Sequence, residues 1–264
     1  MLALLRPVWN YRGFVFGNVK REFQSRYRNS LLGAAWIFFQ PLAQILVYTI
    51  VFSQIMHAKL PSVASTFGYS IHLCAGILTW GLFAEITTRS QSMFLENANL
   101  LKKLNFPRLC LPVTIVAIGL LNFSIVFGLF TIFLVVTGNF PGLVFVSLVP
   151  LIALLVVFGA SLGLILGVLN VFFRDVGQLF GIVITFWFWL TPIVYPVAIL
   201  PERVKQIIAF NPMVNLVEGV QGVLVQGEWP RFQGLVYTAV LAIGLSMLGL
   251  RLFRNRVGEM VDEL

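Results

Sequence analysis

The sequence predicts an all-α integral membrane protein with six membrane-spanning helices and a surface helix at its N-terminus. Hydrophobic residues make up 59% of the 264 residues and charged residues only 11%, whereas soluble domains carry roughly 25% charged residues. The mean hydropathy is +0.93. Apolar stretches recur along the chain, each close to the ~20 residues that a helix needs to cross the hydrocarbon core. We therefore expect one transmembrane domain over residues 1–264.

Residues 1–30 are basic and have a helical apolar pattern. Apolar side chains recur at helical spacing at Phe16, Val19, Phe23 and Tyr27. The cations that would form the polar side are Lys20, Arg21, Arg26 and Arg28. This pattern predicts an amphipathic helix in the headgroup layer. The alternative is a basic flank that only sets the topology.

The apolar stretches and the positions of the cations together predict the orientation. The stretches lie at about 31–55, 70–93, 111–137, 143–172, 178–195 and 233–253. With a cytoplasmic N-terminus, only Lys59, Arg203, Lys205 and Arg231 of the 18 Lys and Arg residues fall outside. This excess of cations inside places both termini and region 94–110 in the cytoplasm. It also explains the net charge of +8 without a nucleic-acid partner.

Region 94–110 has the pattern of a short helix exposed to water. Its apolar face comprises Leu100, Leu101 and Leu104, and its basic face comprises Lys102 and Lys103. Asn97 or Asn99 is a candidate N-cap, and Pro107 forces the helix to end before it. About two turns are too short to be stable alone. We expect the helix to lean on a second, soluble protein.

The first predicted span carries a stripe of polar and aromatic residues. Trp36, Gln40, Gln44 and Tyr48 follow one another at steps of four, with Pro41 among them, so they share one drifting helix face. Amides are costly in lipid, and this face should point at protein or at a wet cavity. Contacts that hold helices together and satisfaction of the carbonyl freed by Pro41 are equally good explanations.

The fifth predicted span is rich in aromatic residues. They are Phe180, Phe186, Trp187, Phe188, Trp189 and Tyr195. Some belong to the interfacial belt in which Trp and Tyr are enriched. Flat rings also stack against the C–H faces of sugars, although aromatic residues at helical spacing usually pack against other helices. Both interpretations stay open.

Two further patterns indicate packing. Glu85 and Arg89 are four residues apart and predict an ion pair on one helix face. Gly159, Gly163 and Gly167 form a small-residue ladder that lets another helix approach closely.

The segment 196–232 contains two short helical patterns, Pro201 to Phe210 and Pro212 to Val225. Both are too short to span the membrane, which predicts re-entrant or interfacial helices on the outer side. Such backbone is tolerated at membrane depth only where protein or water surrounds it. A lid over a pathway and a plain external cap are the two roles that fit.

These motifs together resemble the ABC exporter permeases for polysaccharides, such as those for O-antigen, capsule and wall teichoic acid. The first motif runs from Arg26 to Trp36 and continues with Gln40, Pro41 and Leu42. The second runs from Asn99 to Lys103 and continues with Phe106, Pro107, Arg108, Leu111 and Pro112. Asn170 to Asp175 and Asn211-Pro212 also fit in position, and the resemblance covers essentially the whole chain.

The resemblance implies a homodimer of permeases paired with two copies of a separate ATPase, which binds ATP and Mg²⁺, in the bacterial cytoplasmic membrane. It implies that region 94–110 is a coupling helix, with Asn99, Leu100, Leu101, Lys102, Lys103, Leu104 and Phe106 at the ATPase. The expected substrate is a lipid-linked glycan. We expect its path to involve Trp36, Gln40, Gln44, Tyr48, Phe186 and Trp189, and its lipid phosphate to meet Lys20, Arg21, Arg26 and Arg28. Export of a small hydrophobic drug or lipid is the alternative.

Other functional classes fit less well. No G-x-x-x-x-G-K-[ST] phosphate loop is present, so we expect no nucleotide hydrolysis by this chain alone. An enzyme needs clustered acid, base or metal-binding groups, but the two histidines, His57 and His72, have no carboxylates near them in the sequence. A secondary transporter is disfavoured because paired internal repeats are not evident. We expect no cofactor or metal in this chain.

Overall fold

The computed structural model describes residues 9–27, 35–48, 50, 67–103, 106–197 and 200–263. Within these residues every regular element is a helix, which confirms the all-α class. The helices are α1 (Arg12–Tyr27), α2 (Trp36–Tyr48), α3 (Gly68–Glu96), α4 (Ala98–Lys103), α5 (Cys110–Val136), α6 (Leu148–Phe172), α7 (Asp175–Trp189), α8 (Glu202–Ile208), α9 (Pro212–Gln221), α10 (Phe232–Arg256) and α11 (Glu259–Glu263). A 3₁₀ turn, Gly142–Ser147, leads into α6, and a π turn, Gly222–Gln226, extends α9.

Helices α3 and α6 form the central pair of the bundle, and the glycine ladder of α6 is the reason they lie so close. A Cβ atom on Gly163 would lie 2.5 Å from the Cβ of Ser90, and one on Gly167 would lie 2.5 Å from the Ser90 carbonyl oxygen. The predicted close approach is therefore confirmed. On its other side α6 packs against α10, where the hydroxyls of Ser161 and Ser246 are 2.6 Å apart.

In the described part of the chain, four helical segments are long and apolar enough to cross a membrane: Gly68–Glu96, Cys110–Val136, Gly142–Phe172 and Phe232–Arg256. They match the second, third, fourth and sixth predicted spans. The first predicted span, 31–55, is described only over residues 35–48 and 50, where α2 forms. The protein is thus an integral membrane protein, and the count of six spans stays a prediction.

The fifth predicted span, 178–195, does not form one continuous helix. Helix α7 has 15 residues, which rise about 22 Å, short of the ~30 Å hydrocarbon core. Its C-terminal turn stops near the middle of α3, where the rings of Trp187 and Phe83 have centroids 5.2 Å apart. The chain leaves the helix at Leu190, and Pro192 follows, which cannot continue a helix.

Two short helices then form a bent hairpin, as the sequence predicts for residues 196–232. Helix α8 and the segment Pro212–Gln226 meet at 105°. Val197, just before α8, and Gln226, at the end of the π turn, line the same cavity beside His72 in the first turns of α3. The chain therefore enters and leaves the hairpin (Glu202–Gln226) at one end of the bundle, and its re-entrant placement in a membrane stays a prediction. We call this end, where α3 begins, the hairpin end.

The opposite end of the bundle, where α3 finishes, holds α1, α4 and α11, and we call it the coupling end. Helix α1 forms as predicted and packs against α5. Its position as an amphipathic helix in the headgroup layer stays a prediction. The small core of this end gathers residues from α3, α4, α6, α10 and α11, among them Met93, Leu101, Val168, Phe253 and Met260.

Candidate functional site

Helix α7 has one face packed on the bundle and one face open. On the packed side, Trp187 contacts the rings of Trp80, Phe83 and Phe158. The open face of α7 comprises Leu179, Ile182, Val183, Phe186 and Trp189. Phe186 is 67% exposed and Trp189 is 61% exposed. The aromatic residues of this helix thus divide between packing and an open surface, and sugar stacking on the open surface stays a prediction.

Helix α2 also has an open face. Trp36 is 46% exposed and Phe39 is 54% exposed, whereas Ile45 is buried against the core. Gln40, Gln44 and Tyr48 lie on the backbone of this helix, but their side chains are outside the described part of the chain. Their predicted place in a pathway stays a prediction.

Helices α2 and α7 both pack against α3, and α3 has an exposed strip of its own. Gly81 is exposed, and a Cβ atom placed on it would have no heavy atom of the described residues within 4 Å. Ala84 and Thr88 follow at i+3 and i+7, on the same side of the helix, and both are half-buried. One subunit therefore presents three neighbouring open surfaces: aromatic ones on α2 and α7, and a small-residue one on α3.

Asn211 fixes the tip of the hairpin at mid-bundle. Its Oδ1 accepts hydrogen bonds from Trp187 Nε1 at 2.8 Å and from the Met213 backbone N–H at 3.0 Å. Its Nδ2 donates to the Leu190 carbonyl at 3.3 Å and to Thr191 Oγ1 at 3.2 Å. The first residue of α9 is Pro212, which suits the first helical turn. Asn211 is thus both the N-cap of α9 and the clamp between the hairpin and the end of α7.

Gln221 holds the other end of α9 against α3. Its buried Nε2 lies 3.2 Å from the His72 carbonyl oxygen and 3.4 Å from the Pro192 carbonyl oxygen, and it donates to both. A Cβ atom on Gly76 would lie only 2.7 Å from that nitrogen and 3.1 Å from Ile193. A larger residue at position 76 would therefore displace the Gln221 amide and crowd the Ile193 backbone, whose Cα would lie 3.3 Å from the added Cβ.

At the coupling end, α4 is held to the bundle by its own leucines. Leu101 is 7% exposed and packs in the core of this end, and Leu100 packs against that core in part. Leu101 therefore faces this chain and not a partner, unlike the expectation from the sequence. The apolar spacing alone did not distinguish an internal contact from an external one.

The exposed residues of α4 are Asn99, Lys102 and Lys103. Leu104 lies outside the described residues. The ring of Phe106 packs on Phe14 of α1, with centroids 4.8 Å apart. The Asn97 Nδ2 donates to the Met93 carbonyl at the end of α3, and its backbone carbonyl accepts from the N–H groups of Leu100 and Leu101; a side-chain cap of α4 stays a prediction.

An ionic network joins α1, α3 and α5. Arg89 pairs with Glu85 at 3.6 Å, which confirms the predicted pair, and also with Glu22 of α1. The amide of Asn122 donates to Glu85 at 2.6 Å. Oε1 of Glu85 is thus shared by Arg89 and Asn122, and α1 is tied to the second and third predicted spans.

The cations predicted to meet a lipid phosphate are only partly described. Lys20 and Arg21 lie on α1 and are exposed. Arg26 lies on the same helix without a described side chain, and Arg28 lies outside the described residues.

Sequence reasoning missed Asn211, Gln221 and Glu22 as organising residues. For Asn211 a signal was present, because Asn followed by Pro before an apolar helix is typical of an N-cap. For Gln221 and Glu22 the contacts join residues distant in sequence, and spacing carries no signal for them.

Comparison with known proteins places the chain in a family. Residues 14–225 match the family described as ABC-2 type transporter. The chain belongs to the ABC-2 transporter membrane family.

Three relatives illustrate what this ABC-2 transporter chain is similar to. An O-antigen export system permease protein RfbA from Myxococcus xanthus is 29% identical, over 100% of both chains. Another O-antigen export system permease protein RfbA, from Klebsiella pneumoniae, is 30% identical over 89% of this chain and 88% of its own. A polysialic acid transport protein, KpsM, from Escherichia coli is 25% identical over 91% of this chain and 92% of its own.

Proposed function

We propose that this chain is the transmembrane subunit of an ATP-driven exporter that moves a lipid-linked polysaccharide of the O-antigen type across the bacterial cytoplasmic membrane. The named relatives export O-antigen or transport polysialic acid, and they align over nearly the full chain. The chain is not an enzyme by itself. It works as a homodimer with two copies of a separate ATPase, which binds ATP and Mg²⁺, and both termini are cytoplasmic.

The observation that carries this proposal is the half-length helix α7, whose open aromatic face lies on the same bundle as the exposed strip of α3. Two copies that turn these faces toward each other enclose a path between them. Phe186 and Trp189 then offer rings to the sugar chain, and Trp36 does so from α2. The gap beyond α7 is filled by the hairpin, whose tip is held by Asn211.

At the cytoplasmic face, the ATPase contacts the exposed side of α4. Asn99, Lys102 and Lys103 point away from the bundle core and form this surface, while Leu101 keeps α4 attached to the rest of the chain. Charges at the rim of such an interface mainly steer association and make it depend on salt. Lys20 and Arg21 of α1, together with Arg26 and Arg28, meet the phosphate of the lipid carrier, since Arg favours bidentate phosphate contacts.

Two exposed glycines give a matched test of the path. Gly81 lies on the strip of α3, and Gly244 lies on α10, with no heavy atom of the described residues within 4 Å of a Cβ atom on either. Gly81→Trp should abolish export because the ring projects into the path, whereas Gly244→Trp lies on α10, outside the proposed path formed by α2, α3 and α7, and should leave export unchanged. The measurement is the amount of glycan on the surface of cells in which the variant replaces the native chain.

Equal export by the two variants, at equal amounts of protein in the membrane, would refute this path. The alternative, export of a small hydrophobic drug or lipid, has its own signature. In that case deleting the chain leaves the surface glycan unchanged and makes the cells retain, or become sensitive to, a hydrophobic compound.

A further inference from the structure

The hairpin end of the bundle contains a polar cavity of about 680 Å³. Its walls come from the start of α3, the segment before α8, α9 with its π turn, the loop after it, and the first turn of α10. Binding pockets for small ligands typically measure roughly 300–1,000 Å³. The cavity is separate from the open faces of α2 and α7.

The side chains of this cavity suit a polyhydroxylated ligand. Asn215, Glu218, Glu228, Trp229 and Arg231 all line it. Hydroxyl groups both donate and accept hydrogen bonds, so they pair with carboxylates, amides and a guanidinium alike. Trp229 is 61% exposed and offers a ring face on which the C–H face of a sugar can stack.

A buried histidine supplies an independent sign that a ligand is expected. His72 is only 8% exposed and also lines the cavity. Its Nε2 has no hydrogen-bond partner among the described residues. Buried polar atoms are normally paired, because an unpaired one has lost its hydrogen bonds to water without replacement. A hydroxyl group in the cavity is a suitable partner for this nitrogen.

The charges of the cavity restrict the kind of sugar. Two carboxylates, Glu218 and Glu228, face one guanidinium, Arg231. The carboxylates outnumber the single guanidinium among the described residues that line the cavity, so no surplus positive charge remains for the carboxylate of an acidic sugar.

We propose that this cavity is an exit-side subsite that binds one or two uncharged or amino-sugar residues of the exported glycan. The inference rests on the proposed export function and deepens it. The carboxylates accept hydrogen bonds from sugar hydroxyls, Arg231 and Asn215 donate to them, and Trp229 stacks. A glycan built from carboxylated sugars does not bind in this cavity.

Substrate protection of a cysteine tests the subsite in the assembled exporter. Gln233 is exposed and lines the cavity, whereas Glu202, at the start of α8, does not line it, and its side chain is 80% exposed. The native Cys74 and Cys110 are buried and contribute little background. Gln233→Cys and Glu202→Cys are labelled with a membrane-impermeant maleimide in spheroplasts, with and without the glycosyltransferase that starts the glycan.

The exported glycan should slow labelling of Gln233→Cys and leave Glu202→Cys unchanged. A subsite occupied two-thirds of the time leaves one-third of the cysteines accessible and slows labelling about threefold. Adding Trp229→Ala should remove the protection. Gln226→Cys, at another exposed position lining the cavity, replaces Gln233→Cys if that variant does not accumulate. Mass spectrometry of the glycan should find neutral or amino sugars only.

Each contrary result has a separate meaning. Equal labelling of the cavity cysteine with and without glycan, while export continues, overturns the subsite. Equal protection of both cysteines, or protection that survives Trp229→Ala, also overturns it. Protection by a carboxylated glycan overturns the charge assignment. If deleting the chain leaves surface glycan unchanged, the export function fails instead.

Discussion

Replacing Asn211 tests how firmly the re-entrant hairpin is held at mid-bundle. Asn211→Ala removes two hydrogen-bond acceptor functions, for Trp187 Nε1 and for the Met213 N–H, and two donations from its amide. Asn211→Ser is the matched variant. A serine hydroxyl caps a helix about as well as asparagine, but its side chain is too short to reach Trp187.

The structure gives the expected size of the two effects. Losing the N-cap of α9 costs about 1 kcal/mol. Leaving the half-buried Trp187 N–H without an acceptor costs about 1–3 kcal/mol. We therefore expect Asn211→Ala to lower the free energy of unfolding by about 2–4 kcal/mol. Asn211→Ser, which keeps the cap, should lower it by about 1–3 kcal/mol.

Equilibrium unfolding of the purified chain in mixed micelles provides the measurement. A double-mutant cycle with Trp187→Phe, which removes the same hydrogen bond from the other side, should give a coupling energy of about 1 kcal/mol. Neutral surface substitutions change the free energy of unfolding by up to about 0.5 kcal/mol. If Asn211→Ala changes it by no more than that, the hairpin is not held by this residue. A coupling energy near zero would show that any stability lost in Asn211→Ala does not come from the hydrogen bond with Trp187.

Two further predictions concern the bundle and its coupling end. Gly167→Ala should lower the free energy of unfolding by about 1–3 kcal/mol through overpacking, because its Cβ would lie 2.5 Å from the Ser90 carbonyl oxygen. The control is Gly128→Ala, whose Cβ would have no described heavy atom within 4 Å and which should not destabilise the chain. Equal unfolding curves for the two variants would contradict this packing. Leu101→Asp should detach α4 from the bundle and abolish co-purification of the ATPase. The double variant Lys102→Ala with Lys103→Ala should keep the fold and weaken co-purification, more so at high salt. Full ATPase binding by both variants would exclude α4 as the coupling helix.

The fold class and most of the long helices could be predicted because hydropathy and helix length follow directly from the thickness of the bilayer. The close approach of α3 and α6 was also predictable, since Gly159, Gly163 and Gly167 recur on one face. In these cases the physical cause is local in sequence. The Glu85–Arg89 pair belongs to the same class, because residues four apart are neighbours on a helix.

The end of α7 was not predicted because the apolar pattern continues past it. Residues 190–195 are as hydrophobic as the helix before them, and a window of hydropathy cannot separate helix from extended chain. Pro192 was the available signal, since the residue before a proline is pushed out of the helical region. The hairpin packs beyond the end of α7, and its position depends on Asn211. The partners of Asn211, Trp187 and Leu190, lie about twenty residues away in the sequence, so local patterns carry no signal for these contacts.

The direction of Leu101 limits how the coupling end can work. Leu101 lies in the same buried cluster as Met93 of α3 and Val168 of α6, and α4 contacts α3 and α11 directly, so α4 is attached to the core of the bundle. The same α3 carries the exposed Gly81 at its middle and receives Gln221 of the hairpin through the His72 carbonyl near its beginning. A partner that displaces α4 must therefore either move α3 with it or break the Leu101 contacts. Packed interiors resist deformation, so we expect α4 and α3 to move together with the Leu101 contacts kept. Such a movement would shift Gly81 in the proposed path and the His72 carbonyl that holds the hairpin at the same time.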